Sequence, residues 1–219
     1  MKKVMVGIVI FLVAILILVQ VMSVRCTSVI KEIANNEVER FCQLVVNHTS
    51  FPYSNISEDV VRIERDSNNQ ISLIDFDMAY VSKIAGEIVL EIEELLLSLE
   101  GGVYESTGDS VYDKKLQKIN DDKGVIATIP LGLLSNNPFF AEMGPNLKIR
   151  YKTISQVSST IVKEVENYGI NRMMIGISIV ITIHLRVTVP FYQEEHSQDI
   201  AFPLSLEIIE RQVPQWYQN

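Results

Sequence analysis

Cysteine is nearly missing from this chain of 219 residues, which has two, Cys26 and Cys42. That excludes a disulfide-framed scaffold and a multi-thiolate zinc site. Sixteen residues apart on one predicted helix, the two would lie about 24 Å from each other, beyond disulfide reach. Two free thiols are therefore expected. Histidine is scarce too: His48, His184 and His196 are the full set, with no metal-ligand spacing among them. CxxC pairs, HExxH and glycine-rich phosphate loops are all lacking. Basic residues are the minority charge, with 19 Lys and Arg, two of them Lys2 and Lys3, against 27 Asp and Glu. Such an acidic surface repels phosphate backbones, so nucleic acid is not an expected partner.

Long hydrophobic runs, by contrast, are present. Met1-Lys2-Lys3 leads into Val4 to Val24, where only Gln20 and Ser23 interrupt the apolar residues. That length suits a single helical membrane span. The exit Ser23-Val24-Arg25-Cys26-Thr27 offers no small-x-small cleavage site, so an uncleaved anchor is expected, with the N-terminus cytoplasmic and the main domain outside. The predicted organisation is a tip at 1–3, an anchor at 4–24, a stalk helix at 25–48 packing one face on the domain, and an extracytoplasmic domain at 58–217.

Within that domain, Met173 to Val189 alternates strictly, with Met, Ile, Leu and Val on odd positions and Ser178, Thr182, His184, Arg186 and Thr188 among the even ones. This is the period of a strand with one dry face. It would exceed about 50 Å if straight, so it should curve, and Gly176 is a candidate bend. Odd positions also carry the apolar residues from Leu147 through Val165, with a weaker stretch over Thr153 to Thr160. Ile200, Phe202, Leu204, Leu206 and Ile208 are expected to share one face of a further strand, with Pro203 marking an edge or bulge, after a turn over Tyr192 to Asp199.

Before these strands, 60–65 and 71–76 read as a hairpin, and Asp77 caps a long helix with the stripe Val81, Ile84, Ala85, Ile88, Ile92, Leu95, Leu96 and Leu99. Its glutamates, including Glu93 and Glu100, are expected on a solvated face, and Gly101-Gly102 ends it. Residues 102–124 read as an exposed loop, followed by a short strand over Val125–Ile129. The fold class is α+β: an N-terminal transmembrane helix, then a long curved antiparallel β-meander packed against a long amphipathic helix. Burying that helix face is worth on the order of 10–20 kcal/mol gross, enough to define the fold.

No catalytic constellation emerges. The three histidines fall on a stalk end, a wetter strand face and a loop. Asp75 and Asp77 fit helix capping better than acid–base work. The chain reads as no enzyme, with no catalytic, metal or cofactor-binding residues.

Five short motifs occur in order: Ile129-Pro130-Leu131-Gly132, Met143-Gly144-Pro145, Tyr168-Gly169-Ile170-Asn171, Val189-Pro190-Phe191 and Val213-Pro214-Gln215-Trp216-Tyr217. With the Ile74-Asp75-Phe76-Asp77 corner, they resemble the sporulation protein YunB family. The resemblance implies a membrane-anchored protein of endospore-forming bacteria, made in the mother cell and needed for efficient spore formation. It would sit in the mother-cell or outer forespore membrane, with other envelope or sporulation proteins as partners. The motif residues Pro130, Gly132, Gly144, Pro145, Gly169, Asn171, Pro190, Pro214 and Tyr217 are expected to be structural turns. The function expected is a non-enzymatic structural or interaction module between the two membranes. The alternative is a lipid-binding or lipid-transfer module using an apolar groove between curved sheet and helix.

Overall fold

The computed structural model describes residues 27–53, 60–65, 67, 71–106, 111–135, 138–154, 157–168, 172–190 and 192–210. The expected anchor over Val4–Val24 lies outside these residues, as does Cys26. Among the described residues, no helix is long and apolar enough to cross a membrane.

The architecture is α+β. Helix α1 (27–50) is followed by the antiparallel hairpin β1 (Val61–Arg65) and β2 (Ile71–Phe76), then by helix α2 (Met78–Gly101) and helix α3 (Val111–Asp121). Five strands complete the chain: β3 (Val125–Pro130), β4 (Asn146–Thr153), β5 (Ser158–Tyr168), β6 (Arg172–Val189) and β7 (Tyr192–Glu210). Strand β6 is the axis of one antiparallel sheet. β7 pairs along its whole length on one side. On the other side β5 and then β4 follow one another, and β3 flanks β4.

The odd residues of β6 from Ile177 to Val189 are all buried and belong to one core with α1 and α2. α1 contributes Ile30, Ala34, Val38, Phe41, Cys42, Val45 and Val46, at three- and four-residue spacing. α2 contributes the eight residues of its predicted stripe. It begins as its sequence dictates, with the Asp77 side chain accepting the Tyr80 N–H at 2.9 Å. It ends at Gly102, whose φ of 72° is a left-handed cap. At the far end of the sheet, Met173, Ile175 and Ile209 form a small second core under Ile71, Ile74 and Phe76 of the hairpin.

Four expectations need correction. The stretch 102–124 contains α3 rather than only a loop. Its inward face is half polar, with Asp113 and Asn120 buried beside Leu116 and Ile119, and that mixture hides the helical period. The turn expected over Tyr192 to Asp199 is strand: Val189 already pairs with Tyr192, so the polar residues there form the start of edge strand β7. The strand's apolar phase also does not hold, since Leu204 is buried whereas Leu206 and Ile208 are exposed. Ser178 pairs with Pro203 and Ile177 with Ser205, leaving Leu204 as one extra residue that flips the face. This irregularity sits one residue from Gly176, the candidate bend.

The last correction concerns the glutamates of α2. Thr153 pairs with Leu185 and Ser158 with Thr182, so the four residues 154–157 stand against two of β6. The ladder is broken there, and Glu93 and Glu100 supply acceptors: Oε1 of Glu93 takes the Val157 N–H at 2.8 Å and Oε2 of Glu100 the Thr153 N–H at 3.0 Å. Two turns apart on α2, they hold the sheet's gap rather than face solvent alone. Between them the buried Tyr151 hydroxyl donates to the Leu96 carbonyl at 2.7 Å, with its ring 4.5 Å from that of Phe41.

Candidate functional site

Among the described residues, the facing sides of the sheet and α2 are buried against each other. Ile88, Ile92, Leu96 and Leu99 are fully buried in the same cluster as Ile177, Ile179, Ile181 and Leu185. An apolar-ligand groove would need these two faces apart, so their burial in one cluster gives the lipid-groove reading no support.

A cleft of about 790 Å³ opens instead on the other side of α2. The last turn of α1 brings His48 and Thr49 to it, the following 3-10 turn Phe51 and Pro52, and α2 brings Glu91, Glu94 and Ser98. Tyr104, ahead of α3, and Tyr112, in the first turn of α3, close it. Beneath it lies Asp113, which accepts the Tyr104 hydroxyl at 2.9 Å and stands 3.9 Å from Nδ1 of His48. Asn120 accepts the Tyr104 N–H at 2.8 Å, so both buried polar residues of α3 fix this one tyrosine. Burial, then the hydrogen bond and charge of Asp113, push the Tyr104 hydroxyl up to about 12. At the rim the Tyr53 hydroxyl lies 3.4 Å from both Glu87 and Glu91 and is likewise pushed up to about 12, first by desolvation and then by those carboxylates.

An imidazole beside a buried carboxylate is two-thirds of a nucleophile-activating array. The third member is not free. Thr49 donates its hydroxyl to the Val45 and Val46 carbonyls, and Ser98 donates to Leu95. Among the described residues no group of three His, Cys, Asp or Glu side chains could hold a metal ion. Cys42 is buried in the core, where desolvation and then Glu39 push its thiol up to about 12. The other histidines lie elsewhere: His184 pairs with Ser197 on the outer face of the sheet, and His196, in β7 rather than a loop, contacts Gln198 at 3.3 Å. The His48–Tyr104–Asp113 network is hidden in the sequence because Asp113 lies in 102–124, the stretch that reads as a loop.

Of the family-motif residues, four converge. Leu131 N–H donates to the Pro145 carbonyl at 2.9 Å and Gly132 N–H to the Met143 carbonyl at 2.8 Å, immediately beyond the Pro130–Asn146 pair that ends the β3–β4 ladder. A Cβ on Gly132 would lie 1.7 Å from the Phe140 carbonyl oxygen, and Gly144 has a φ of 94°. Both positions require glycine. Pro190 is exposed at the end of β6, and Gly169, Asn171, Pro214 and Tyr217 lie outside the described residues.

These features define an α+β domain with two helices covering one face of a long antiparallel sheet and a glycine-locked loop at its end. The family model described as sporulation protein YunB (Spo_YunB) matches residues 126–216, from β3 through β7 and beyond. The sporulation protein YunB of Bacillus subtilis (strain 168) is 24% identical over 192 residues, covering 86% of this chain and 70% of that protein. Over its sheet-bearing part the chain is thus similar to the sporulation protein YunB family, the one that the motifs resemble. No solved structure matches the chain.

Proposed function

We propose that this protein acts in sporulation as a single-pass membrane protein whose domain is a non-enzymatic structural or interaction module between the mother-cell and forespore membranes. The apolar run Val4–Val24 supports the anchor, and Lys2 and Lys3 before it support a cytoplasmic N-terminus. The observation that carries the non-enzymatic reading is the commitment of Thr49 and Ser98, the hydroxyls described in the cleft beside His48 and Asp113, to helix carbonyls. Partners would be other envelope proteins.

Sporulating cells of the source organism, carrying a fluorescent fusion and a His48→Ala variant, test both parts. The expected result is fluorescence at the mother-cell or outer forespore membrane, fewer heat-resistant spores when the protein is deleted, and normal spore numbers with His48→Ala. Cytoplasmic fluorescence removes the anchor. A His48→Ala protein that accumulates normally yet gives the deletion phenotype removes the non-enzymatic reading.

A further inference from the structure

The glycine-locked loop between β3 and β4 exposes apolar side chains to an extent no other part of the described chain matches. Phe139 is 89% exposed, Met143 58%, Phe140 49%, and Leu131 and Leu133 each more than 40%. Glu142 is the one charged residue from Leu131 to Pro145. Contiguous exposed apolar surface of this kind marks a place that meets a partner or a membrane. The backbone here is held: besides the two bonds at its base, Met143 N–H donates to the Phe140 carbonyl at 2.9 Å. The loop is thus built to present these side chains rather than to fold them inward, while Leu134 alone packs back on the core.

Strand register shows which end of the domain carries it. Arg150 of β4 pairs with Thr188, next to the last residue of β6. Asn146 therefore projects about 10 Å past the end of β6, at roughly 3.3 Å per residue, and the loop extends from there. That is the end at which β6 turns into β7. The start of α1 is at the same end, because Lys31 is ion-paired with Glu194, the third residue of β7. Thr27, the first described residue of α1, follows the apolar run Val4–Val24 by three positions, no more than about 11 Å of chain. The opposite end of the sheet, with Tyr168, Arg172 and the exposed Glu166, is the length of β6 away.

The geometry points to a second membrane contact: Leu131, Leu133, Phe139, Phe140 and Met143 rest in the interfacial layer of the same bilayer that the N-terminal run anchors. This inference rests on the anchor reading above. Phenylalanine, leucine and methionine with almost no charge suit burial to about 5–10 Å at the headgroup–acyl boundary. The arrangement makes the attachment two-point, so the domain would stand with β6 rising from the bilayer and its far hairpin outermost, instead of swinging on α1.

Site-directed spin labelling of the full chain in phosphatidylcholine–phosphatidylglycerol vesicles tests this. Cys26→Ser leaves the buried Cys42 as the one native thiol, and Phe139→Cys or Glu166→Cys carries the label, both at exposed sites. Alkaline carbonate extraction is run on the same samples. The expected result is carbonate-resistant protein, with the label at 139 colliding at least several-fold more with oxygen than with a water-soluble nickel chelate, and the label at 166 showing the reverse. Carbonate-resistant protein with both labels equally open to the chelate overturns the second contact while leaving the anchor standing, and turns the loop into a surface for another protein. Protein released by carbonate overturns the anchor and this inference with it.

Discussion

Strand β6 has a neighbour on each side that breaks step with it, and the two breaks have opposite consequences. Between β4 and β5, residues 154–157 stand against two residues of β6. An excess of two preserves parity, so Tyr151 and Val157, on either side of the gap, are both buried. In β7 the excess is the single residue Leu204, and parity is lost: inward positions are even up to Leu204 and odd from Ser205 onward. The first break costs backbone hydrogen bonds, which the helix restores through Glu93 and Glu100. The second costs apolar surface, leaving Leu206 at 58% and Ile208 at 66% exposure while Ser205 is buried. Register errors of one and two residues thus draw on different reserves, side-chain burial in one case and main-chain satisfaction in the other.

The largest test of this contrast is a pair of identical substitutions two residues apart. Leu204→Lys removes a buried leucine and brings a charge to the core margin of an edge strand, and should destabilise by about 2–4 kcal/mol. Leu206→Lys should stay within about 0.5 kcal/mol, as an exposed substitution does. Urea unfolding in mild detergent measures both. Equal effects would mean that the face does not flip at Leu204. On the other side of β6, Glu93→Ala and Glu100→Ala each strip a charged acceptor from a partly buried N–H, and each should cost about 1.5–3 kcal/mol. The same substitution at Glu94, exposed on the next position of α2, should cost almost nothing, and a similar loss there would show that the charge of the helix rather than the gap is being measured.

The pattern of success in sequence reading follows from the same physics. The odd face of β6, the stripe of α2, its Asp77 cap and its glycine stop were legible because each is a local period or a local hydrogen bond. The breaks were legible only as places, a weaker stretch over Thr153 to Thr160 and Pro203 as an edge or bulge, and not in their effect, because alternation in β5 and β7 continues on paper regardless of what stands opposite. Ile200 to Ile208 read as one face, and only pairing with Ile177 and Ser178 shows the added residue. The glutamates of α2 read as solvated because their acceptors are used by main-chain groups more than fifty residues away. The network under the cleft was hidden in the same way: Asp113 and Asn120 are polar residues on the buried face of a short helix, where periodicity expects apolar ones.

The smallest expected effect is a gain. Ser205 is 4% exposed, shares the core face with its partner Ile177, and its hydroxyl finds no hydrogen-bond partner among the described residues. It is buried only because the flip at Leu204 moves odd residues inward. A hydroxyl in that position forfeits its water without replacement, so Ser205→Ala, which changes the volume by a single oxygen, should stabilise the fold by about 1 kcal/mol. The sign is the informative part, since most core substitutions in this sheet should destabilise. A loss of stability instead would mean that the hydroxyl is bonded and that the flip carries no polar penalty. A gain confirmed alongside a neutral Leu206→Lys would show that the single-residue break places a serine inside and a leucine outside at a net cost that the rest of the long β6–β7 ladder absorbs.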